Sequence, residues 1–207
     1  LAHPSSLAFA RMLTAVAYQL RREPEAAHEQ AEALIVLATE QGFELFLLIG
    51  RLLSGGTRAA PGQSGERVAQ IRQNLAAQRE TGSAVWEPFS LGLLAEAYAE
   101  DRQIDAALGT LDEALAAAQT TGQRLVEAEL QRLRGSLLLQ TGTSLAEAEG
   151  WLQRAVDSAR RQGAKSLELR AAMSLSRVWH RQGKRQKARD LLSEVYAWFT
   201  EGFDSVG

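Results

Sequence analysis

Glycine recurs at nearly constant intervals along this 207-residue chain. Each of these glycines follows a stretch of helical apolar spacing, and they stand at Gly42, Gly82, Gly122, Gly163 and Gly202. The intervals between them are 40, 40, 41 and 39 residues. Many helices end at a residue with positive φ, which glycine adopts easily because it has no Cβ. Because a fixed period of this length is typical of stacked helical repeats, the sequence predicts five such units.

A second break falls near the middle of each interval, so each repeat is predicted to be an antiparallel helical hairpin. The predicted helices cover residues 5–21, 24–41, 44–56, 65–81, 87–100, 103–120, 124–141, 145–161, 165–182 and 185–200. The predicted repeats cover 5–42, 43–82, 83–122, 123–163 and 164–202, within a single domain of residues 1–207. Alternation typical of strands is absent. The expected fold is therefore all-α, a right-handed α-solenoid.

The composition favours a protein that folds in water and excludes chemistry that depends on cysteine. Charged residues make up 23% of the chain, the formal net charge is −2, and there is no cysteine. Disulfides, a thiolate nucleophile and a cysteine-ligated zinc are therefore excluded. No apolar run approaches the roughly 18 residues of a membrane span. We expect a cytoplasmic protein, and the absence of an initiator Met or a signal peptide at Leu1 suggests a piece of a longer chain.

Motifs for catalysis, cofactors or metals do not emerge from the sequence. The histidines His3, His28 and His180 are far apart, and His28 is not followed by the second histidine of a helical zinc site. The glycine-rich stretch of residues 54–65 lacks the Gly-Lys-Ser/Thr of a P-loop. We therefore expect a non-enzymatic chain with no cofactor and no metal.

Two segments carry a family resemblance. Leu94-Ala95-x-x-Tyr98, followed by Ala107 and Ala114, resembles the tetratricopeptide repeat (TPR), and so does Leu175-Ser176-x-x-Trp179 followed by Ala188. The resemblance implies stacked hairpins whose first helices line a concave surface that binds proteins or peptides. The second repeat departs from the pattern, with Gly55-Gly56, Pro61 and Val68, and we expect residues 53–65 to be mobile.

A narrower resemblance lies near the C-terminus. The segments 162–172, Gly183-Lys184-Arg185 and 196–204 are similar to the C-terminal TPR region of bacterial signalling proteins that join an adenylate/guanylate cyclase or other effector domain to a STAND/AAA-type ATPase. This resemblance implies a regulatory or scaffolding arm, with any catalytic domain outside the sequence. The alternative is the ligand-sensing arm of a STAND-type transcriptional activator.

The clearest polar feature is a basic segment. Residues 160–189 hold ten basic residues and one acid, Glu168. On the helix predicted from residue 165, Arg170, Arg177 and Arg181 fall on one face, away from the apolar stripe of residues 171–179. By resemblance this row faces the concave surface and suits an acidic peptide or partner segment, through bidentate hydrogen bonds. The alternative is an ordinary solvated helix face.

The candidate partner-binding residues lie on predicted first helices, and they are Arg170, Arg177, His180, Arg181, Glu96, Glu100 and Arg132. We expect the partner to be a protein, a peptide or another domain of the same chain. A membrane is excluded by hydropathy, and nucleic acid is disfavoured because no aromatic stacking platform accompanies the basic residues.

Overall fold

A computed structural model describes residues 3–56, 64–82, 84–142 and 145–200. Within these ranges the regular structure is helical, and no strand occurs. The helices are α1 (Pro4–Arg21), α2 (Pro24–Gln41), α3 (Glu44–Gly56), α4 (Ser64–Glu80), α5 (Glu87–Glu100), α6 (Ile104–Thr121), α7 (Glu127–Thr141), α8 (Leu145–Gln162), α9 (Lys165–Arg181) and α10 (Arg185–Tyr196). The predicted all-α fold is confirmed, and odd-numbered helices are the first members of the predicted hairpins.

The periodic glycines end helices as predicted. Four of them have φ values between 65° and 69°, at Gly42, Gly82, Gly122 and Gly163. Gly202 lies outside the described residues. The turns inside the hairpins use the same conformation, at Gly142 and Gly183 but also at Arg22 and Arg102, which both have a φ of 59°. Most helices of this chain are therefore followed by a residue in the left-handed conformation, which is glycine at some ends and arginine at others.

Three helices begin with proline in the first turn and have no side-chain cap. Pro4, Pro24 and Pro88 stand in first turns, where the missing N–H would have no helical partner. Residues 57–63, which make up most of the segment predicted to be mobile, lie outside the described residues.

Two helices, α7 and α10, are shorter than predicted. Helix α7 begins at Glu127 rather than 124, because a turn competes with the helix there. The hydroxyl of Thr121 accepts a hydrogen bond from the Gln123 N–H, and the Gln123 side chain accepts one from the Leu125 N–H. Helix α10 ends at Tyr196 rather than 200, and the chain turns through Ala197 and Trp198. Polar side chains that bond nearby backbone favour a turn over helix before α7.

The chain divides into two compact units, with the boundary between Asp101 and Arg102. The N-terminal unit contains α1 to α5, in which each helix packs on the next and α1 also packs on α3. The C-terminal unit contains α6 to α10, where the same order holds and α7 also packs on α9. In both units the first helices of neighbouring hairpins therefore touch. The boundary falls inside the predicted repeat 83–122, and the single domain stays a prediction.

Small residues let the helices approach closely. Ala107 and Ala114 on α6, and Ala148 and Ala155 on α8, are fully buried, as their seven-residue spacing predicts. On α2 the sequence pair Ala26 and Ala33 is half-buried instead. The buried face of α2 is one residue further on, at Ala27, Ala31, Leu34 and Ala38. The small residues that α2 buries are therefore not the seven-residue pair of Ala26 and Ala33.

The core of the C-terminal unit centres on α9. Its predicted apolar stripe is confirmed, because each member is buried: Ala171, Ala172, Leu175, Val178 and Trp179. Leu152 and Val156 of α8 pack against this stripe, together with Ala188 and Val195 of α10. Trp198 lies outside this core, since it is 60% exposed and packs edge-on against Phe199.

Gly135 marks the closest approach of α7 and α8. A Cβ on Gly135 would lie 2.7 Å from Cγ of Leu152 and 3.1 Å from the carbonyl oxygen of Ala148. The hairpin therefore needs a residue without a side chain at this point, because neither backbone nor a packed leucine can move aside cheaply.

We predict opposite effects for two glycine-to-alanine changes in the C-terminal unit. A Cβ would meet no atom within 4 Å at either Gly109, inside α6, or Gly122, after its end. Gly109→Ala should stabilise the fold by about 0.5–1 kcal/mol, because alanine loses less backbone entropy in a helix. Gly122→Ala should destabilise it by about 1–2 kcal/mol, because φ is 69° there.

Urea unfolding followed by circular dichroism measures both changes, and Gly109→Ala serves as the matched control for Gly122→Ala. No loss of stability in Gly122→Ala would show that the end of α6 does not depend on the left-handed residue. A loss of stability in Gly109→Ala would contradict the open space around that position.

Candidate interaction surface

The first helices of the C-terminal unit present a polar face where α7 packs on α9. Glu129, Arg132 and Ser136 follow one another along α7 at spacings of three and four residues. Arg170 and Arg177 stand at a spacing of seven on α9. Positions three, four or seven residues apart share one side of a helix, so each helix contributes a continuous polar row to this face.

An ion triad joins the two helices. The guanidinium of Arg132 donates to both carboxylate oxygens of Glu129, with Nε–Oε2 at 2.9 Å and Nη2–Oε1 at 2.8 Å. Arg170 of α9 reaches the same carboxylate, with Nη2–Oε1 at 2.8 Å. The side chains of Glu129 and Arg132 are nearly buried and that of Arg170 is largely so. One carboxylate therefore holds two guanidiniums in place.

The remaining basic candidates continue along α9. Arg177, His180 and Arg181 are exposed, and their side chains make no hydrogen bond or ion pair within the part of the chain that the structure describes. We call Arg170, Met173, Arg177, His180 and Arg181 the α9 ridge; Met173 is also exposed. The structure therefore brings Arg132 and Arg170 together through Glu129 and leaves Arg177 and Arg181 solvated on the ridge. Their binding role stays a prediction.

The acidic candidates lie on α5 in the N-terminal unit. Glu96 Oε1 is 3.5 Å from Nη2 of Arg22, in the turn between α1 and α2. Glu100 pairs with Arg67 of α4, whose side chain is buried. Both carboxylates hold helices of their own unit together, and their binding role likewise stays a prediction.

A second carboxylate cluster was not predicted from the sequence. Glu149 of α8 accepts hydrogen bonds from Trp179 Nε1 at 2.7 Å and Gln182 Nε2 at 2.8 Å, and Lys184 Nζ lies 3.3 Å away. Burial alone would raise the pKa of Glu149, but the hydrogen bonds from Gln182, Trp179 and Lys184 outweigh it and lower that pKa below its ordinary value. The cluster fastens the turn between α9 and α10 to α8.

Glu168 is a fully buried carboxylate on α9. It accepts from Arg160 Nε at 2.7 Å and from Lys165 Nζ at 2.8 Å. Burial would raise the pKa of Glu168, yet these two cations outweigh it and lower that pKa. Arg160 also reaches the exposed Glu194 of α10, with Nη2–Oε1 at 2.9 Å, so one arginine links α8, α9 and α10.

Other site classes were searched over the same residues. No group of three or more His, Asp or Glu side chains that could hold a metal ion occurs in residues 3–56, 64–82, 84–142 and 145–200. In those ranges no helix has the length and apolarity needed to cross a membrane.

We predict that Glu168 makes folding sensitive to acid. Its pKa is lower in the folded chain than its ordinary value of 4.5. The stability that this carboxylate contributes is therefore present above that value and is lost as the pH falls through the folded pKa. Glu168→Gln should cost about 1.5–3 kcal/mol near neutral pH, because a buried charged hydrogen-bond acceptor is lost. It should also flatten the fall in stability below about pH 5.

The matched control is Glu194→Gln, which removes an exposed carboxylate from the same arginine. This change should cost less than about 1 kcal/mol, because exposed ion pairs contribute little. Urea unfolding at a series of pH values measures both variants. An unchanged pH dependence for Glu168→Gln would contradict the assignment.

Comparison with solved structures finds helical repeat proteins. A putative kinesin light chain from Podospora anserina with nearly identical TPR-like repeats is 23% identical, with a TM-score of 0.56 over 95% of this chain and 96% of that chain. Aspartyl phosphate phosphatase F from Bacillus subtilis is 16% identical, with a TM-score of 0.62 over 95% of this chain and 50% of that chain. The apo form of RapI is 10% identical, with a TM-score of 0.57 over 93% of this chain and 82% of that chain.

No protein-family model matches the sequence, and no curated protein matches it either. At these identities the likeness concerns the fold alone. The resemblance to cyclase and STAND proteins therefore stays a prediction. What the helices and the solved structures establish together is the fold class, an all-α solenoid of TPR-like helical hairpins.

Proposed function

We propose that this chain is a non-enzymatic protein-binding module whose α7–α9 face receives an acidic segment of a partner protein. The observation that carries the proposal is the α9 ridge, where exposed Arg177, His180 and Arg181 continue from an arginine that Glu129 holds in place. TPR-like repeats are a fold that presents helix faces to other chains, which supports binding rather than chemistry.

The geometry suits carboxylates. A guanidinium presents five N–H donors in a planar fork that matches a carboxylate, as Arg132 shows by donating to both oxygens of Glu129. Because both side chains are held by the triad and largely buried, a ligand would not have to immobilise them. Arg177 and Arg181 would add two mobile cations along the ridge, and Met173 between them and Arg170 offers an apolar contact.

The small free energy of an exposed ion pair implies that this binding needs several contacts. An exposed ion pair contributes only about 0–1 kcal/mol, so no single arginine of the ridge would hold a partner. Several contacts to one extended acidic segment are needed, and the affinity should fall as salt rises. The ridge is therefore proposed to give specificity and fast association, while apolar contacts of the partner supply much of the affinity.

We also propose that the chain is the C-terminal arm of a multidomain bacterial signalling ATPase or cyclase in the cytoplasm, where the partner is another domain of the same protein. The resemblance of residues 162–172 and 196–204 supports this context. The alternative is a ligand-sensing arm of a STAND-type transcriptional activator. The complete reading frame discriminates between them, since the first requires an effector or cyclase domain and the second a DNA-binding domain.

The proposed acidic ligand predicts a charge-reversal effect. The probe is a fluorescent peptide of alternating glutamate and alanine, measured by fluorescence anisotropy at low salt. Arg177→Glu with Arg181→Glu should weaken binding of this peptide by about tenfold or more, equivalent to about 1.4 kcal/mol, and leave the unfolding midpoint nearly unchanged.

The matched control reverses two exposed arginines elsewhere, Arg51 of α3 and Arg72 of α4, so that the net charge changes equally. This control should bind the peptide within about twofold of the parent protein. A peptide with glutamine in place of glutamate should bind neither the parent protein nor the control variant measurably. Equal loss in both double variants would show attraction by net charge alone, and no loss in either would overturn the α9 ridge as the site.

A further inference from the structure

The outward face of α2 carries a row of glutamates. Helix α2 packs on α1 and on α3, and its remaining side is exposed. Four glutamates and one valine stand there at spacings of three and four residues, which places them on one side of the helix: Glu25, Glu29, Glu32, Val36 and Glu40. All five are exposed, and Val36 is 57% exposed. We call these five residues the α2 row.

The α2 row is not neutralised by cations of its own helix or of neighbouring helices. Helix α2 contains no lysine or arginine. The side chains of Glu25, Glu29 and Glu40 make no hydrogen bond or ion pair within the part of the chain that the structure describes. Glu32 accepts a hydrogen bond from the Ser54 hydroxyl at 2.6 Å, but that donor is uncharged. Like charges three or four residues apart repel one another along a helix, so a cationic partner would stabilise the row.

The α9 ridge offers cations in a complementary pattern. Met173 is 37% exposed and is followed at two intervals of four residues by Arg177 and Arg181. The side chains of these arginines make no hydrogen bond or ion pair with any other residue that the structure describes. The ridge thus has one exposed apolar residue followed by charges of one sign. The α2 row has the same pattern with the opposite charge when its sequence is followed backwards from Val36.

The two patterns coincide when the helices run in opposite directions. A helix rises about 1.5 Å per residue, so the two arginines lie about 6 Å and 12 Å beyond Met173 along α9. The nearest two glutamates that precede Val36 lie about 6 Å and 10.5 Å from it along α2. With Met173 against Val36, each arginine therefore stands within about 1.5 Å of a glutamate along the helix axis. The facing pairs are Met173 with Val36, Arg177 with Glu32, and Arg181 with Glu29.

We propose that this chain associates with a second copy of itself, with the α9 ridge of one copy docked on the α2 row of the next. The inference rests on the proposed function in one respect, since it takes the ridge as the site that receives carboxylates, and it names the acidic partner. The occupant is assigned by charge complementarity and by the matching register of the two helices. Met173 and Val36 add an apolar contact beside the ion pairs.

Two consequences follow from this arrangement. Ion pairs between exposed side chains weaken as salt rises, so the copies should separate at high salt. The interface is also heterologous, because one copy contributes a ridge and the other a row. Each pair of copies leaves one ridge and one row open, and further copies can add until the assembly closes on itself. Association should therefore be reversible and should increase with protein concentration.

Analytical ultracentrifugation at low salt tests the proposal through a charge swap. The average mass of the parent chain should rise with concentration. Arg177→Glu with Arg181→Glu makes the ridge acidic, and Glu29→Arg with Glu32→Arg makes the row basic. Each double variant alone should associate at least about tenfold more weakly than the parent, because its ridge and its row then carry the same sign of charge. An equimolar mixture should regain the association of the parent, since each reversed surface meets its complement.

The matched controls make the same changes of net charge at exposed positions of α3 and α4. Arg51→Glu with Arg72→Glu is the control for the ridge, and Glu66→Arg with Glu80→Arg is the control for the row. Each control should weaken association by no more than about threefold, because only the general attraction between the copies changes.

A second row variant, Glu25→Arg with Glu29→Arg, leaves the hydrogen bond between Ser54 and Glu32 in place. It keeps the charge swap valid if the first row variant loses helical circular dichroism. A parent chain that is monomeric at every concentration would overturn the proposal. A mixture that associates no better than its separate variants would also overturn it, as would equal losses in the variants and the controls.

The glutamate–alanine peptide separates failure of this inference from failure of the proposed function. The variant with Glu29→Arg and Glu32→Arg keeps its ridge, so it should bind the peptide at least as tightly as the parent does. Peptide binding by a parent chain that stays monomeric would leave the ridge as a site for another partner and overturn the contact with α2. Self-association that the charge swap restores, without peptide binding, would support the contact with α2 and contradict binding of a separate acidic segment.

Discussion

A helical hairpin of this kind has more apolar surface than its two helices can cover between them. Its second helix packs back on its own partner and forward on the next first helix, as α2 does on α1 and α3. Each hairpin is therefore completed by its neighbour, and the period of the sequence follows from the period of that contact. Ala27, Ala31 and Ala38 on α2 show the requirement directly, since a helix enclosed on two sides is buried most easily when its side chains are small.

The turns matter because they set the register of this contact. A left-handed residue ends α2, α6 and α7 at glycine and α1 at Arg22. Arginine in that conformation costs more than glycine, so its use at Arg22 and Arg102 indicates that the position of the turn is retained when its residue type is not. Where the register holds, residues one period apart on first helices become neighbours. Glu129 and Arg170, 41 residues apart, form their ion pair in this way.

The same logic explains what could be predicted from the sequence. The glycine period and the helical spacing of the apolar residues were enough to predict the helices. The exception is α7, which is shorter than predicted because the Thr121 and Gln123 side chains accept backbone hydrogen bonds before it.

The contacts on the polar face were harder to predict. The Glu129–Arg170 pair could be found by pairing residues one period apart, whereas Glu149 meets Trp179 and Arg160 meets Glu168 through spacings that no repeat pattern marks. Such contacts depend on how side chains of three helices meet, which periodicity does not describe.

The charge along the chain also differs from the charge on its surface. The segment 160–189 counts +9, yet Glu129 binds Arg170, Glu149 accepts from Lys184, and Glu168 and Glu194 bind Arg160. Lys187 stands over the ring of Trp179 with its ammonium 4.0 Å from the centroid. Part of the basic composition is thus used inside the fold, where Arg170 and Arg160 bind carboxylates that burial would otherwise destabilise. The arginines of α9 that indicate a binding surface are therefore those that do not pair inside the fold. In the row of Arg170, Arg177 and Arg181, these are Arg177 and Arg181.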